Sequence, residues 1–403
     1  MRSRVRTLVL VLTIIVLPSS ARFILVPDPE IYYAVGIGLS DIAMAALMAL
    51  ALPDLVTRAR TALRHPLGVL ASALLLLTVA AFAVHPSAQG VQTLFHLLGA
   101  ASVLVALLDL RDDRGRRLLM FGLVAMTVTQ TALSVAQLAS GDLLLPFDHP
   151  AIRRFGPFIR VNGTFPDSFM LAGYALVVGA LLAREAMARR RPWVLALFAA
   201  VAIVPVGYTF SRAALLGAAM LVAALLPGAL RGLPGRRVVL AMLVLGFAIP
   251  GLATREGWLA REDDSDLGNS AGQRILLIRE SLPIVLANFL VGVGPGNTML
   301  ALRQREAQEP GSIPLMQPPH DVPYLVALES GVPTGVVAAL LIAGLGLIAL
   351  RRGNLAVSVY ATLLAYLFLD NYPWTAAAGL PLVALWASGA LTRDRAPETA
   401  LAS

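Results

Sequence analysis

Twelve long apolar runs divide this chain, and nothing constrains its fold more. They fall at about 6–26, 31–52, 66–84, 90–109, 118–138, 166–183, 192–208, 213–230, 237–253, 324–350, 355–370 and 374–391. A helix needs about 20 mainly apolar residues to cross a bilayer, so twelve spans take roughly 240 residues. The 403-residue chain then keeps only short connections and two longer loops. With 58% of residues hydrophobic, only 14% charged and a mean hydropathy of +0.76, a soluble globular fold is excluded. The expectation is an all-α polytopic membrane protein of about twelve transmembrane helices, a single membrane domain over 1–403. The arginines ahead of the first run resemble a signal peptide, but Arg22 and the later spans favour an uncleaved first helix.

Every basic residue is arginine, and the formal charge is +8. The arginines gather in short clusters between apolar runs and form no single basic face, which argues against a nucleic-acid partner. There is no cysteine, so disulfides, thiolate metal sites and cysteine nucleophiles are excluded. Arginine placement also orients the chain. With the N-terminus in the cytoplasm, the inward loops carry Arg58, Arg60 and Arg64; Arg111 to Arg117; Arg184 to Arg191; Arg231 to Arg237; and Arg351 and Arg352. Arg393 and Arg395 follow in the tail, whereas the outward turns at 27–30, 85–89 and 371–373 have none. Both termini are therefore expected inside.

Two outward loops run against that bias. Residues 139–165 carry Arg153, Arg154 and Arg160, and residues 254–323 carry Arg255, Arg261, Arg274, Arg279, Arg303 and Arg305. Arg212 sits in a tight outer turn. Arginine held outside suggests an anionic ligand there. Within the larger loop, the acidic run 262–266 lacks the spacing of a calcium site. From Ser270 to Asn288, Ile275, Ile278, Leu282 and Val285 recur with helical spacing, which predicts a helix lying on the outer membrane surface. Gly292-Val-Gly-Pro-Gly296 then forces a turn. The five histidines are His65, His85, His96, His149 and His320. Only His320 stands in a rigid segment beside arginines, Pro318-Pro-His-Asp-Val-Pro-Tyr324.

Four sequence segments carry a resemblance. These are Val161-Asn-Gly-Thr-Phe-Pro-Asp-Ser168, Thr209-Phe-Ser-Arg-Ala-Ala-Leu215, Ser270-Ala-Gly-Gln-Arg-Ile-Leu with Val291-Gly-Val-Gly-Pro-Gly-Asn297, and His320-Asp-Val-Pro-Tyr-Leu with Glu329-Ser-Gly-Val. In this order the chain resembles bacterial O-antigen ligases and O-antigen polymerases, membrane glycosyltransferases with a GT-C-like fold. The resemblance implies glycan transfer from an undecaprenyl-diphosphate carrier to an acceptor hydroxyl, on lipid A-core or a growing glycan, at the outer face of the bacterial cytoplasmic membrane. It implies catalytic roles for Arg212, Arg274 and His320 and, more weakly, a binding role for Arg160. Asp321 stands where the family often has asparagine.

The chemistry of these residue types agrees. Guanidinium forks bind phosphate oxygens bidentately and stay charged, so they supply the electrostatic work that a divalent ion performs elsewhere. A neutral imidazole accepts a hydroxyl proton. Neither metal nor cofactor is expected. Arg279, Glu329 and Tyr324 are further candidates for substrate binding; Glu329 either orients His320 or caps the surrounding helix, and the structural reading is favoured. Asp41 is an intramembrane acid that either has a function or bonds a neighbouring helix. Asp370, Asn371 and Tyr372 lie at the outer side, where Tyr372 and Trp374 also fit an interfacial aromatic belt. The ligase form is favoured over the polymerase by the compact first loop. A twelve-helix transporter or flippase is the alternative from another class, disfavoured because midplane charge is sparse.

Overall fold

Apolar side chains tolerate a bilayer only when the backbone satisfies its own hydrogen bonds, which selects helices for the long runs. The computed structural model describes residues 2–19, 22–26, 35–110, 113–144, 153–188, 192–231, 234–263, 270–311, 317–375 and 379–391. The 27–30 turn, Arg111, His149, Arg189, Arg190, Arg191, the acidic residues beyond Asp263, Arg393 and Arg395 lie outside the described residues.

Helix α1 (Arg2–Val16) is followed by an antiparallel pair, β1 (Arg22–Val26) and β2 (Val35–Gly38). Helices α2 (Leu39–Ala62), α3 (Pro66–Val84), α4 (Ala88–Leu108) and α5 (Asp113–Ser140) come next. A small hairpin, β3 (Arg154–Phe155) with β4 (Phe158–Ile159), precedes α6 (Ser168–Met187), α7 (Trp193–Tyr208), α8 (Arg212–Arg231) and α9 (Pro234–Ala253). The large loop folds into α10 (Arg255–Asp263), α11 (Ser270–Ala287), α12 (Thr298–Gln308) and the short α13 (Val322–Ser330). Helices α14 (Val332–Arg352), α15 (Asn354–Leu369), α16 (Tyr372–Thr375) and α17 (Gly379–Leu391) complete the chain. Among the described residues seven helices, α3, α4, α5, α6, α8, α9 and α14, are long and apolar enough to cross a membrane, and α7, α15 and α17 are shorter apolar helices. The protein is an all-α polytopic membrane protein.

Helix α6 is the centre of the core. Its residues are buried along nearly their whole length, because α7, α8, α9, α15 and α17 pack around it. Helix α3, by contrast, is mostly exposed, as expected of a lipid-facing helix at the periphery. Arg6 of α1 bridges Asp54 of α2 and Asp109 at the end of α4.

The structure corrects three boundaries. The first run is not one helix over 6–26: α1 stops at Val16, just before Pro18, and residues 22–26 pair with 35–38. The second helix accordingly begins at Leu39, not near 31. The run at 324–350 breaks at Gly331, whose φ of +89° ends α13 and turns the chain into α14. A side chain there would strain the backbone, and its Cβ would lie 2.1 Å from the Leu290 carbonyl oxygen.

Gly331→Val therefore adds both left-handed strain, about 1–2 kcal/mol, and a backbone clash. A loss of about 2–4 kcal/mol is expected, seen as a lower unfolding temperature of the detergent-solubilised protein. An unchanged unfolding temperature would show that the break tolerates a side chain.

Candidate active site

The first signature is shaped from beneath by two glutamines of α5 spaced by two helical turns. Gln137 Nε2 donates to the carbonyls of Leu143 (2.7 Å) and Gly163 (2.9 Å) and to Asn162 Oδ1 (3.2 Å). Its Oε1 accepts the N–H groups of Asn162 (3.2 Å) and Gly163 (2.9 Å). Gln130 Oε1 accepts Thr164 N–H at 3.1 Å, and its Nε2 donates to Thr164 Oγ1 at 2.6 Å. The loop backbone is thus satisfied by side chains where no ladder exists. Asp167 then caps α6, accepting Phe169 N–H at 2.7 Å.

This loop meets the second signature directly. Arg160 Nε donates to the Thr209 carbonyl at 2.7 Å, and its guanidinium carbon stands 4.0 Å above the Phe169 ring. Its Nη2 is buried with no protein partner. Phe210, in the second signature, has a φ of +49° although it is not glycine. Its fully buried ring is held between Phe155 and Trp258, each 5.3 Å away between centroids. Such strain persists only where surrounding packing imposes it, and here it sets the start of α8, and with it Arg212.

The third and fourth signatures lock together through Glu329. This buried carboxylate accepts Thr298 Oγ1–H at 2.9 Å and Trp374 Nε1–H at 2.8 Å. The carbonyls of Leu328 and Glu329 accept the N–H groups of Val293 (3.0 Å) and Gly294 (2.8 Å). Asp321 caps α13 by accepting Tyr324 N–H at 2.8 Å, a bond that asparagine would also make. Tyr324 donates its hydroxyl to the Ile278 carbonyl (3.0 Å) and shares a hydrogen bond with Ser281 Oγ (3.0 Å), which fixes α13 to α11. Asn371 Nδ2 donates to the Pro318 carbonyl at 3.1 Å, so the outer end of α15 holds the segment bearing His320.

The result is a cluster in which the ionisable groups sense one another. Burial pushes the His320 imidazole down to about 4, and the positive charge of Arg274 adds to that shift. Burial also lowers the pKa of the Arg274 guanidinium; Asp370 opposes the shift and Arg212 reinforces it. Arg160 is lowered by burial too, with Asp167 and Asp370 opposing. Asp370, at the end of α15, is pushed up to about 7 by burial and then by the charge of Asp167, while Arg274 pulls it down. Its Oδ2 and the Tyr372 hydroxyl are buried with no protein partner. The Tyr372 oxygen occupies the space where a Cβ on Gly173 would be, 1.7 Å away, so α6 needs glycine there.

Arg160, Arg212, Arg274 and His320 are thus brought together, with Asp370 among them. Three expected binding residues are not. Glu329 and Tyr324 spend their polar atoms on the packing described above. Arg279 is exposed on the other side of α11, 3.9 Å from Glu280. Asp167, Tyr366, Gln130 and Gln137 were not singled out by sequence reasoning; Asp167 lies within the first signature, and Tyr366 stands one helical turn before Asp370. Asp41, in the first turn of α2, accepts Gly38 N–H at 2.7 Å and pairs with His96 at 2.9 Å, so this acid joins α2 to α4. Among the described residues no three of His, Asp and Glu gather where they could hold a metal ion.

Residues 196–339 match the model of a family described as O-antigen ligase. The match contains the second, third and fourth signatures, while the first lies ahead of it, and the resemblance carried by those motifs is shown over this stretch. It supports glycan transfer of the ligase or polymerase kind. No curated protein and no solved structure matches the chain.

Gln137→Leu keeps the volume but leaves four loop backbone groups and Asn162 without their partner. Each buried orphan costs about 1–3 kcal/mol. Limited proteolysis should then cut within 153–165 faster than in the parent protein. Equal cleavage rates would mean the loop is held by something other than Gln137.

Proposed function

We propose that this protein transfers a glycan from an undecaprenyl-diphosphate-linked donor to a sugar hydroxyl at the outer face of the cytoplasmic membrane, in the manner of an O-antigen ligase. The observation that carries this reading is a linked set of charges from five separated segments: Asp370 faces both Arg160 and Arg274, and Arg274 in turn lies near Arg212 and His320. The arrangement of twelve spans with both termini in the cytoplasm, which puts these segments outside, rests on the arginine pattern.

Arg212 and Arg274, aided by Arg160, hold the diphosphate. As the bond between the anomeric carbon and the phosphate oxygen breaks, the leaving group gains negative charge. Preorganised guanidinium groups in a water-poor site stabilise that charge without reorganising. The acceptor oxygen attacks the opposite face of the anomeric carbon, so configuration inverts, and its proton passes to His320. An imidazole held neutral down to about pH 4 is free to accept a proton at pH 7, while its low basicity makes the full transfer depend on the leaving group departing in the same step. The three guanidinium groups do the charge work of a divalent ion, so transfer should continue in EDTA. Glu329 and Tyr324 act by holding the scaffold, and Asp370 balances the arginine charge before the donor binds.

Several measurements follow from these roles. His320→Ala and Arg212→Ala should each abolish transfer by purified, folded protein supplied with the carrier-linked glycan; normal turnover by either variant contradicts its role. Product growing only on the carrier would make the enzyme a polymerase, and flipping without transfer would make it a transporter. The acid limb of the turnover profile should lie near pH 4, not near the ordinary histidine value of about 6.5. Asp370 ionises as pH rises through about 7 and then competes with the diphosphate for Arg274. Turnover should consequently decline on the alkaline side, and Asp370→Asn should flatten that decline. A profile unaltered by Asp370→Asn would remove the competition from the account.

A further inference from the structure

Helix α11 carries Arg274, yet it has two apolar sides. Leu277, Ser281, Ile284 and Val285 are buried; Ile284 and Val285 pack in a small core with Met299, Leu302 and Leu328. The face opposite is also apolar. Ile275, Leu282 and Leu286, at i, i+7 and i+11, form one stripe and are 68%, 42% and 61% exposed. Phe289 and Leu290 extend it at 49% and 72%. The periodicity Ile275, Ile278, Leu282, Val285 read from sequence thus mixes two surfaces, since Val285 belongs to the protein core.

The position of this stripe identifies what covers it. The Phe289 carbonyl accepts the N–H of Val332 at 2.8 Å, so the end of the stripe is joined to the first residue of α14. On α14, Val336 and Leu340, one and two turns further on, are exposed on a helix long and apolar enough to cross the bilayer. The α11 stripe is therefore continuous with a lipid-facing flank and lies level with its outer end. Arg279 shares the exposed side of α11, and its long side chain reaches from such a surface to phosphate headgroups.

We infer that α11 is a half-immersed interfacial helix whose Ile275, Leu282, Leu286, Phe289 and Leu290 side chains sit among the acyl chains of the outer leaflet. This binding surface fixes the depth of Arg274, one turn into the same helix, at the level of lipid headgroup phosphates. An anion attached to a lipid anchor then meets Arg274 without leaving the membrane surface. This consequence rests on the proposed reaction; the membrane contact itself does not.

The absence of cysteine makes the test direct. Leu282→Cys, Leu286→Cys and, as an aqueous control, Gln308→Cys are labelled with bimane in the full-length protein. The proteins are placed in nanodiscs of phosphatidylethanolamine and phosphatidylglycerol. Lipids with nitroxide on the acyl chain should quench positions 282 and 286 on the order of threefold more than position 308, and dissolved iodide should show the reverse order. Iodide quenching at 282 and 286 equal to that at 308 overturns the proposal, because the stripe then faces water. Protection from both quenchers, with cross-linking between copies by a bis-maleimide, overturns it in favour of a second copy as occupant. None of these readouts needs turnover, so their failure is distinct from failure of the glycan-transfer reading.

Discussion

The hydrogen bonds of one buried carboxylate hold the segments around His320 in register. Glu329 stands on a short helix that ends two residues later, and its two oxygens are taken by Thr298 at the start of α12 and Trp374 of α16. Its own carbonyl receives the glycine turn at Gly294. An acid removed from water is costly unless each lone pair finds a donor, so these three elements are fixed together or not at all. The segment bearing His320 enters α13 from one side, and Asn371, three residues before Trp374, holds it from the other. The geometry of the histidine is thus inherited from a residue that does not face it.

Electrostatics supplies the complementary constraint. Burying Arg160 and Arg274 near Arg212 is unfavourable without negative charge, and Asp370 and Asp167 answer it. The balance is incomplete in a useful direction. Asp370 has a raised pKa near neutrality, so the cluster holds less negative charge than its two carboxyl groups would supply if both were ionised. On the proposed reading an anionic ligand would complete the balance, and Arg160 Nη2 is buried with no protein partner. His320 is lowered first by burial and then by the charge of Arg274, so the imidazole is kept neutral chiefly by its removal from water.

Much of this was legible in the sequence because it is local. Helical runs follow from apolar length, and the motif around Arg212, Arg274 and His320 is read residue by residue. What was not legible depends on contacts far apart in the chain. The break at Gly331 arises because the Leu290 backbone lies against it. The pairing of Asp41 with His96 spans 55 residues, and the glutamines of α5 read as ordinary helix residues until the loop they hold is placed over them. Glu329 and Tyr324 stand within the fourth signature and were candidates to meet substrate, whereas their polar atoms bond to the scaffold. Proximity in sequence to a motif does not distinguish a ligand-binding group from the one that supports it.

Helix α11 shows why that distinction matters for a lipid-borne reaction. A soluble enzyme surrounds its substrate with protein, and one amphipathic face per helix suffices. Here the sequence period at 270–288 blends a side packed on Leu328 with a side that has no protein against it. Both sides are apolar, for different reasons, and Arg274 is spaced with the buried side, with Leu277, Ser281 and Val285 at i+3, i+7 and i+11 from it. A guanidinium so placed is part of the protein's charge cluster through Asp370 and Arg212, while the helix that carries it answers to the bilayer. The depth of the membrane surface and the geometry of the site are thereby fixed by one rigid element.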